Sequence, residues 1–387
     1  MLRARDNLQY SGVFESLRLL LYHPARNSSL RRQQDGLTEM LGLDLFSGAG
    51  GMSLGARWAG VDVKLAIEMH HAAARTIAKN HPDCLAIQGD LQHIGGIGNY
   101  RTRNEELVIF GGPPCQAFST SNQRNRGPEN ARNFLFREFL KFVQAEAPDW
   151  VVFENVPGIL EKGSRPYVLE IEKKLRALGF KLASGVLDAA DFGVPQHRKR
   201  FFIVGSRNST PDLPTPRRIK LTSVNEAIED LPTLANGADE CTLAYGRPAK
   251  SQYAKKMRGK RERCSNNLVS DNSKFVVSRY KYIPQGGNWS DIPNRMMKNY
   301  ADPTRCHTGI YHRLNGDEPS VVIGNFRKNM LIHPTQDRGL SVREAARLQS
   351  FPDWYEFVGT IGLQQQQVGN AVPPLLAKAV FSQITRA

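Results

Sequence analysis

The segment LVIFGGPPCQAFS, residues 107–119, places a cysteine behind two glycines and two prolines at the end of an apolar run. Proline removes backbone donors and restricts the residue before it, so Cys115 belongs to a constrained loop and not to a strand or helix. A cysteine usually packs as a small hydrophobe. One set on a loop just past a strand is instead a candidate nucleophile. The run WVVFE ends in Glu154-Asn155-Val156 and brings a carboxyl group to the same edge. A thiol beside a carboxyl suits covalent addition to an electron-poor ring with proton donation. In QHRKR, residues 196–200, Arg198 and Arg200 alternate onto one face. Such arginines hold a carbonyl oxygen or a phosphate, or form an ordinary exposed basic strand end.

A second set lies earlier in the chain. LGLDLF (41–46) runs into SGAGGMSLG, where Gly48, Gly50 and Gly51 let the backbone pass close to a ligand and turn into a helix N-terminus. VDVKLAIE (61–68) ends at Glu68, where an acid commonly takes a ribose diol. CLAIQ (84–88) is followed by Gly89-Asp90, an acid suited to an exocyclic amine and equally to capping a helix. These features suit an adenosine-containing cofactor. The glycines do not choose between a dinucleotide and S-adenosylmethionine, because GxGG followed by Gly55 departs from GxGxxG.

The elements that must position these residues follow from periodicity. Apolar runs at 41–46, 61–68, 84–88, 107–110, 150–154, 181–187 and 200–205 read as strands. HAAARTIAKN, NFLFREFLKFVQAEA and RPYVLEIEKKLRALG read as helices between them, the last stopped by Gly179. The alternation predicts an α/β sheet with ligands beyond the carboxyl ends of its strands. From about residue 207 to 340 the chain is rich in Pro, Gly, Arg and Lys, with KFVVSRY and PSVVIG as short strand-like pieces. Helical periodicity returns in SVREAARLQSF.

The 387 residues carry a formal charge of +15 with 40% apolar content, which points to a globular protein with an acidic partner, nucleic acid foremost. Five scattered cysteines without a CxxC pair indicate neither a disulfide framework nor a structural metal site, and a reducing cytosolic setting fits them. No apolar run is long enough to span a bilayer.

DLFSGAGG, Glu68, GDL, GGPPCQAFS, ENV, QHRKR, REAARLQSFPD and QVGNAVPP occur in the order used by the DNA cytosine-5 methyltransferases. The chain resembles that family from Met40 to its end, the middle of the basic region apart. The resemblance implies an α/β, Rossmann-like S-adenosylmethionine-dependent methyltransferase fold with a mostly parallel seven-stranded sheet, plus a smaller target-recognition domain. It implies that Cys115 adds to C6 of a cytosine flipped out of double-stranded DNA, that Glu154 contacts N3 and the exocyclic amine, and that Arg200, supported by Arg198, binds O2. S-adenosylmethionine would be held by Phe46, Gly48 and Gly50, by Glu68 at the ribose, by Met69 and Asp90 at the adenine, and by Pro114, Leu135 and Asn370. Met69 stands where many relatives carry an aromatic. Gln116, Ser119 and the stretch STSNQRNRGPENAR would close over the flipped base, with Gly127 as hinge.

By the same resemblance, residues 38–206 form the catalytic domain, 207–361 the target-recognition domain, and 362–387 return to the catalytic domain. KKMRGKRER, with six basic side chains in nine residues, suits phosphate contacts, foremost through Lys255, Lys256 and Arg258. The helix bearing Arg343, Glu344, Arg347 and Gln349 reads as a structural brace. The layout resembles a bacterial or phage modification enzyme, expected as a cytoplasmic monomer with a cognate restriction endonuclease acting separately. Two rivals are a tRNA cytosine-5 methyltransferase and a catalytically inactive DNA-binding relative. The RNA branch carries a CFT motif, and Cys241-Thr242-Leu243 lacks its aromatic; intact Cys115, Glu154 and arginines count against the inactive relative. Residues 1–37 read as a dispensable extension, although Val13, Phe14, Leu17, Leu20 and Leu21 would share one helix face.

Overall fold

The computed structural model describes residues 39–94, 105–114, 134–216, 220–298, 309–324, 326–328 and 330–386. Cys115, Gln116, Ser119, Gly127 and the N-terminal extension lie outside the described residues.

All seven anticipated strands are present: β1 (Glu39–Leu45), β2 (Asp62–Glu68), β3 (Leu85–Gln88), β4 (Glu105–Gly111), β5 (Trp150–Asn155), β6 (Lys181–Asp188) and β7 (Lys199–Ser206). They form one sheet in the order β3-β2-β1-β4-β5-β7-β6. The pairs β1–β2, β1–β4, β2–β3 and β4–β5 are parallel, and β5–β7 is antiparallel. Unbroken apolar strands such as β5, buried at every position, are what a sheet covered on both faces requires. The register sets Leu45 beside Ile67 and Gly111, and Gly111 beside Phe153. The carboxyl ends of β1, β2, β4 and β5 therefore open at one edge.

Helices α1 (Gly51–Trp58), α2 (His71–Asn80), α3 (Leu135–Glu146) and α4 (Arg165–Ala177) make the crossovers. In α3, Leu135, Phe136, Phe139, Leu140, Phe142 and Val143 are buried at helical spacing, and Phe139 meets Phe153 of β5 edge-on at 5.6 Å. Burial of each such side chain stabilises the fold by about 1.5–3 kcal/mol, and Phe139→Ala would cost about 3–5 kcal/mol.

The chain divides into two compact units, one of residues up to 187, 199–215 and 377 onward, the other of 188–198 and 216–376. The division thus groups 188–198 and 362–376 with the second unit, whereas the sequence reading gave both to the catalytic domain. The second unit holds α5 (Val224–Ile228), the short pair β8 (Leu243–Ala244) and β9 (Arg263–Cys264), α6 (Gln252–Arg258), α7 (Lys274–Tyr280), α8 (Val342–Leu348) and α9 (Ile361–Asn370). A further helix, α10 (Pro374–Ile384), runs on from it, and Phe381 in α10 packs edge-on against Phe110 of β4 at 4.8 Å.

Two local expectations are corrected. KFVVSRY is helix α7: Ser273 caps it by accepting from the Val276 N–H, and the residues turned inward, Arg279, Tyr280 and Ile283, follow helical spacing. PSVVIG forms no strand beyond an isolated bridge of Ser320 to Gln196. The brace reading of α8 is met. Arg347 binds both Asp230 and Asp353, and Arg338 makes a two-pronged contact with Glu344, all buried. Burial alone would raise the Glu344 pKa, but the Arg338 guanidinium outweighs it and takes the carboxyl down to about 2. Among the described residues no helix is long and apolar enough to cross a membrane.

Candidate active site

Glu154 stands near the end of β5 and Arg200 near the start of β7. Glu154 lies opposite Phe202, so Arg200 reaches it on the diagonal. Arg200 Nε is 2.9 Å from Glu154 Oε1, with both residues buried. Burial lowers the Arg200 pKa while the Glu154 charge opposes that fall. The guanidinium stays cationic.

The loop before Cys115 is shaped by this pair. A Cβ on Gly112 would lie 2.5 Å from Glu154 Oε2, and one on Gly111 would lie 2.1 Å from the Leu45 carbonyl oxygen. Both glycines of GGPPC are thus demanded by close approach. Asn155 Nδ2 donates to the Pro113 carbonyl at 3.1 Å, and its Oδ1 accepts from the Val156 N–H. Asn155 therefore anchors the loop at the residue two before Cys115. Sequence reasoning quoted Asn155 without assigning it this task, and its place directly after Glu154 was the available signal.

At the end of β1, Phe46, Gly48 and Gly50 all take positive φ, which is strained for Phe46. The turn is pinned where Ser47 donates through both N–H and Oγ to the Ile67 carbonyl. Glu68 is held from two sides: Gly48 N–H donates to Oε2 at 2.8 Å and His70 N–H to Oε1 at 2.7 Å. A Cβ on Gly48 would meet nothing within 4 Å, so open space lies over the turn. Met69, next to Glu68, is 54% exposed. Asp90 accepts from the Gln92 N–H and caps the turn Leu91–His93, the bland task foreseen for it. Pro114 is exposed and Leu135 is buried in the first turn of α3. An acid fixed at the end of β2, an open glycine turn and an exposed thioether are a donor set that fits an adenosine cofactor.

Asp44 was missed. It is fully buried in β1, with Oδ2 accepting from Ser53 Oγ at 2.6 Å and, among the described residues, no hydrogen-bond partner for Oδ1. Burial pushes its carboxyl up to about 8 against the Ser53 hydrogen bond, and the charge of Glu68 adds to the rise. Its burial depends on tertiary packing, which the motif does not reveal.

In the second unit, Arg198 commits its guanidinium to backbone: Nη1 donates to the Ile323 carbonyl at 2.8 Å and Nη2 to the Gly369 carbonyl at 2.7 Å. Gln196 and Gln349 extend this buried network through Leu348, Ile323 and Val368. Here Arg198 is a backbone clamp, whereas the family resemblance implies that it supports Arg200 at the base oxygen. Asn370 is exposed at the end of α9. Lys255 and Lys256 are exposed, whereas Arg258 lies 3.8 Å over the Tyr245 ring and donates to the Arg247 and Arg261 carbonyls. Among the described cysteines, burial pushes the Cys84 thiol up to about 12 and the Cys264 thiol up to about 11, which makes both poor nucleophiles.

The family model for C-5 cytosine-specific DNA methylases matches residues 40–386. The chain belongs to that family. It is 35% identical to the type II methyltransferase M1.HphI of Haemophilus parahaemolyticus, over 89% of this chain and 86% of that one. It is 34% identical to the type II methyltransferase M.DdeI of Desulfomicrobium norvegicum, over 89% and 88%. A solved structure described as a DNA modification methyltransferase encoded within an E. coli prophage superposes with a TM-score of 0.73 at 27% identity, covering 90% of this chain and 99% of that one. The Entamoeba histolytica methyltransferase EhMeth shares the fold, with a TM-score of 0.56 at 12% identity over 88% and 96% of the chains. The protein is a DNA (cytosine-5)-methyltransferase, and the seven-stranded, mostly parallel sheet is the frame of this C-5 cytosine methylase.

Proposed function

We propose that the chain transfers a methyl group from S-adenosylmethionine to C5 of a cytosine flipped out of a specific double-stranded DNA sequence, through a covalent bond between Cys115 and C6. The observation that carries this reading is the buried Glu154–Arg200 pair beside a loop that Asn155 ties down two residues before Cys115. S-adenosylmethionine, when bound, supplies a methyl group on a sulfonium. Glu68 would hold its ribose, Met69 and Asp90 would border the adenine, and the turn of Phe46, Gly48 and Gly50 would pass close to it, with Pro114 and Leu135 completing the site.

Bond changes at the base balance without an added oxidant or reductant. The Cys115 thiolate forms a bond to C6 as the C5–C6 π electrons move toward C5 and N3 takes a proton from Glu154. Arg200 stabilises the charge at O2. C5 then accepts the methyl group and gives its proton to water, the sulfur–C6 bond breaks to return the Cys115 thiolate, and N3 gives its proton back to Glu154, leaving neutral 5-methylcytosine. Lys255, Lys256 and the loop bearing Gln116 and Ser119 would contact DNA. The enzyme would act as a cytoplasmic monomer, with a cognate restriction endonuclease working separately.

Bisulfite sequencing of DNA from cells expressing the protein tests base and site together, and duplexes with 5-fluorocytosine at the mapped site test the covalent step. The expected result is one short methylated sequence and a stable adduct that Cys115→Ala abolishes. Methylated tRNA with unmodified DNA, or wild-type turnover by Cys115→Ala, would overturn the reading.

A further inference from the structure

The last residues of β1, Leu43-Asp44-Leu45, set an acid among apolar neighbours: Asp44 stands beside Ala66 of β2 on one side and Phe110 of β4 on the other. Burying a carboxyl is costly unless its oxygens are bonded. Asp44 is fully buried and only half served, since Oδ2 accepts from Ser53 Oγ at 2.6 Å while Oδ1 has no hydrogen-bond partner among the described residues. Ser53 lies in the first turn of α1, so this bond closes the chain across residues 45–52. That loop is the glycine turn in which Phe46, Gly48 and Gly50 take positive φ and the Gly48 N–H holds Glu68. The carboxyl is thereby fixed to the turn proposed to seat the cofactor.

A neutral amide would accept the same bond from Ser53. What an acid adds is a proton it can give up. Burial holds the Asp44 pKa at about 8 against the Ser53 hydrogen bond, and the charge of Glu68 acts in the same direction as burial. Of the groups packed around it, α1 brings the Ser53 hydroxyl, β2 the Glu68 carboxylate and β4 the Phe110 ring. The turn ahead of β3 brings the Cys84 thiol, which burial pushes up to about 12 and so keeps neutral. At pH 7 the Asp44 carboxyl is therefore protonated beside a charged Glu68. A cation arriving at the turn lowers that pKa, because it favours the ionised form. S-adenosylmethionine brings such a cation in its sulfonium, whereas its product S-adenosylhomocysteine has a neutral thioether at the same atom. An acid that titrates near neutral pH can tell the two apart by charge.

We propose that Asp44 is a specificity-determining residue of the cofactor turn, favouring the sulfonium cofactor over the thioether product by charge and without touching either. The proposal rests on the reading that this turn binds S-adenosylmethionine and deepens it. When the sulfonium is bound, the Asp44 carboxyl gives its proton to solvent, and the resulting carboxylate attracts the cation. The thioether product draws less of that proton away and is held less tightly. Isothermal titration calorimetry of the full chain with both ligands, from pH 6 to pH 9 in buffers of unlike ionisation enthalpy, reads affinity and proton release together. The ratio of the two dissociation constants cancels the α-ammonium that both ligands carry. In wild type the preference for S-adenosylmethionine should rise about ten-fold across this range, as a pKa that falls by about one on binding requires. Asp44→Asn keeps an acceptor for Ser53 and has no proton to lose, so its preference should stay level. The proposal is overturned if the wild-type ratio is level from pH 6 to pH 9, or if Asp44→Asn shows the same rise. The wild-type curve needs no variant, so it decides the matter even where Asp44→Asn folds poorly. A wild type that binds neither ligand overturns the cofactor reading and this proposal with it, whereas a level ratio with both ligands bound overturns this proposal alone.

Discussion

Gly112 and Glu154 compete for the same space: a Cβ at 112 would fall 2.5 Å from Glu154 Oε2. The obstructing atom is the end of a side chain, so Gly112→Ala can fold by displacing Glu154 from Arg200. We expect kcat to fall on the order of 100-fold while S-adenosylmethionine affinity is kept. Gly111→Ala instead drives a methyl group into the Leu45 carbonyl, 2.1 Å away and part of the backbone. It should lose about 1–3 kcal/mol of stability. Single-turnover kinetics and thermal melts on the two variants separate these outcomes; a Gly112→Ala protein with wild-type kcat would show that Glu154 need not stay where it is.

Arg198 and Arg200, two residues apart, call for opposite measurements. Arg198→Met leaves two buried carbonyls without their donor and should destabilise the second unit by about 2–4 kcal/mol. Arg198→Lys should recover little, because one ammonium lacks the forked geometry that reaches both Ile323 and Gly369. Denaturant melts check this. Arg200→Lys should fold and bind cofactor yet lose methyl transfer, and an Arg198→Lys melt equal to wild type would contradict the clamp.

The contrast between these arginines explains what could be read in advance. Strand alternation set both on one face, yet alternation says nothing about what each face meets, and Arg198 meets backbone carbonyls. The seven strands were legible because their apolar runs are long and the helices between them end on clear signals such as Gly179, at φ 90°. KFVVSRY was misread because Val276-Val277 carry a local strand preference that Ser273 capping and the buried Arg279 override. Glu154 and Arg200 came from motif and strand ends together. Asp44 escaped notice because its burial is created by packing between β1 and α1, which a local pattern does not encode.

Asp44 makes stability depend on pH in a direction unusual for an aspartate. Its carboxyl is raised from 3.8 to about 8 in the fold, chiefly by burial. Between those values the folded protein keeps a proton that the unfolded chain has released, so this group's contribution is full below pH about 4 and is lost as pH rises through about 8. Asp44→Asn carries no titrating proton and keeps the side chain's size. The melting temperature of wild type should therefore fall more steeply from pH 6 to pH 9 than that of Asp44→Asn; parallel curves would mean that Asp44 does not hold this proton.

The basic run at 255–263 contains residues with different duties. Arg258 stacks on Tyr245, donates to two backbone carbonyls and lies 3.8 Å from buried Asp230. Its removal should act on the fold, lowering stability by about 1–3 kcal/mol while leaving the salt dependence of DNA binding unchanged. Lys255 and Lys260 are exposed and suit phosphate contact. Their joint replacement by alanine should leave the melting temperature within about a degree, because surface substitutions usually change stability by under about 0.5 kcal/mol. It should also flatten the log affinity against log salt slope by up to about 1.8. Because phosphate contacts carry no base identity, target and non-target duplexes should weaken by similar factors and the methylated sequence should stay the same. A changed methylation site with an unchanged slope would instead place base reading on this run, and a flattened slope in Arg258→Ala would show that its packing over Tyr245 gives way when DNA binds.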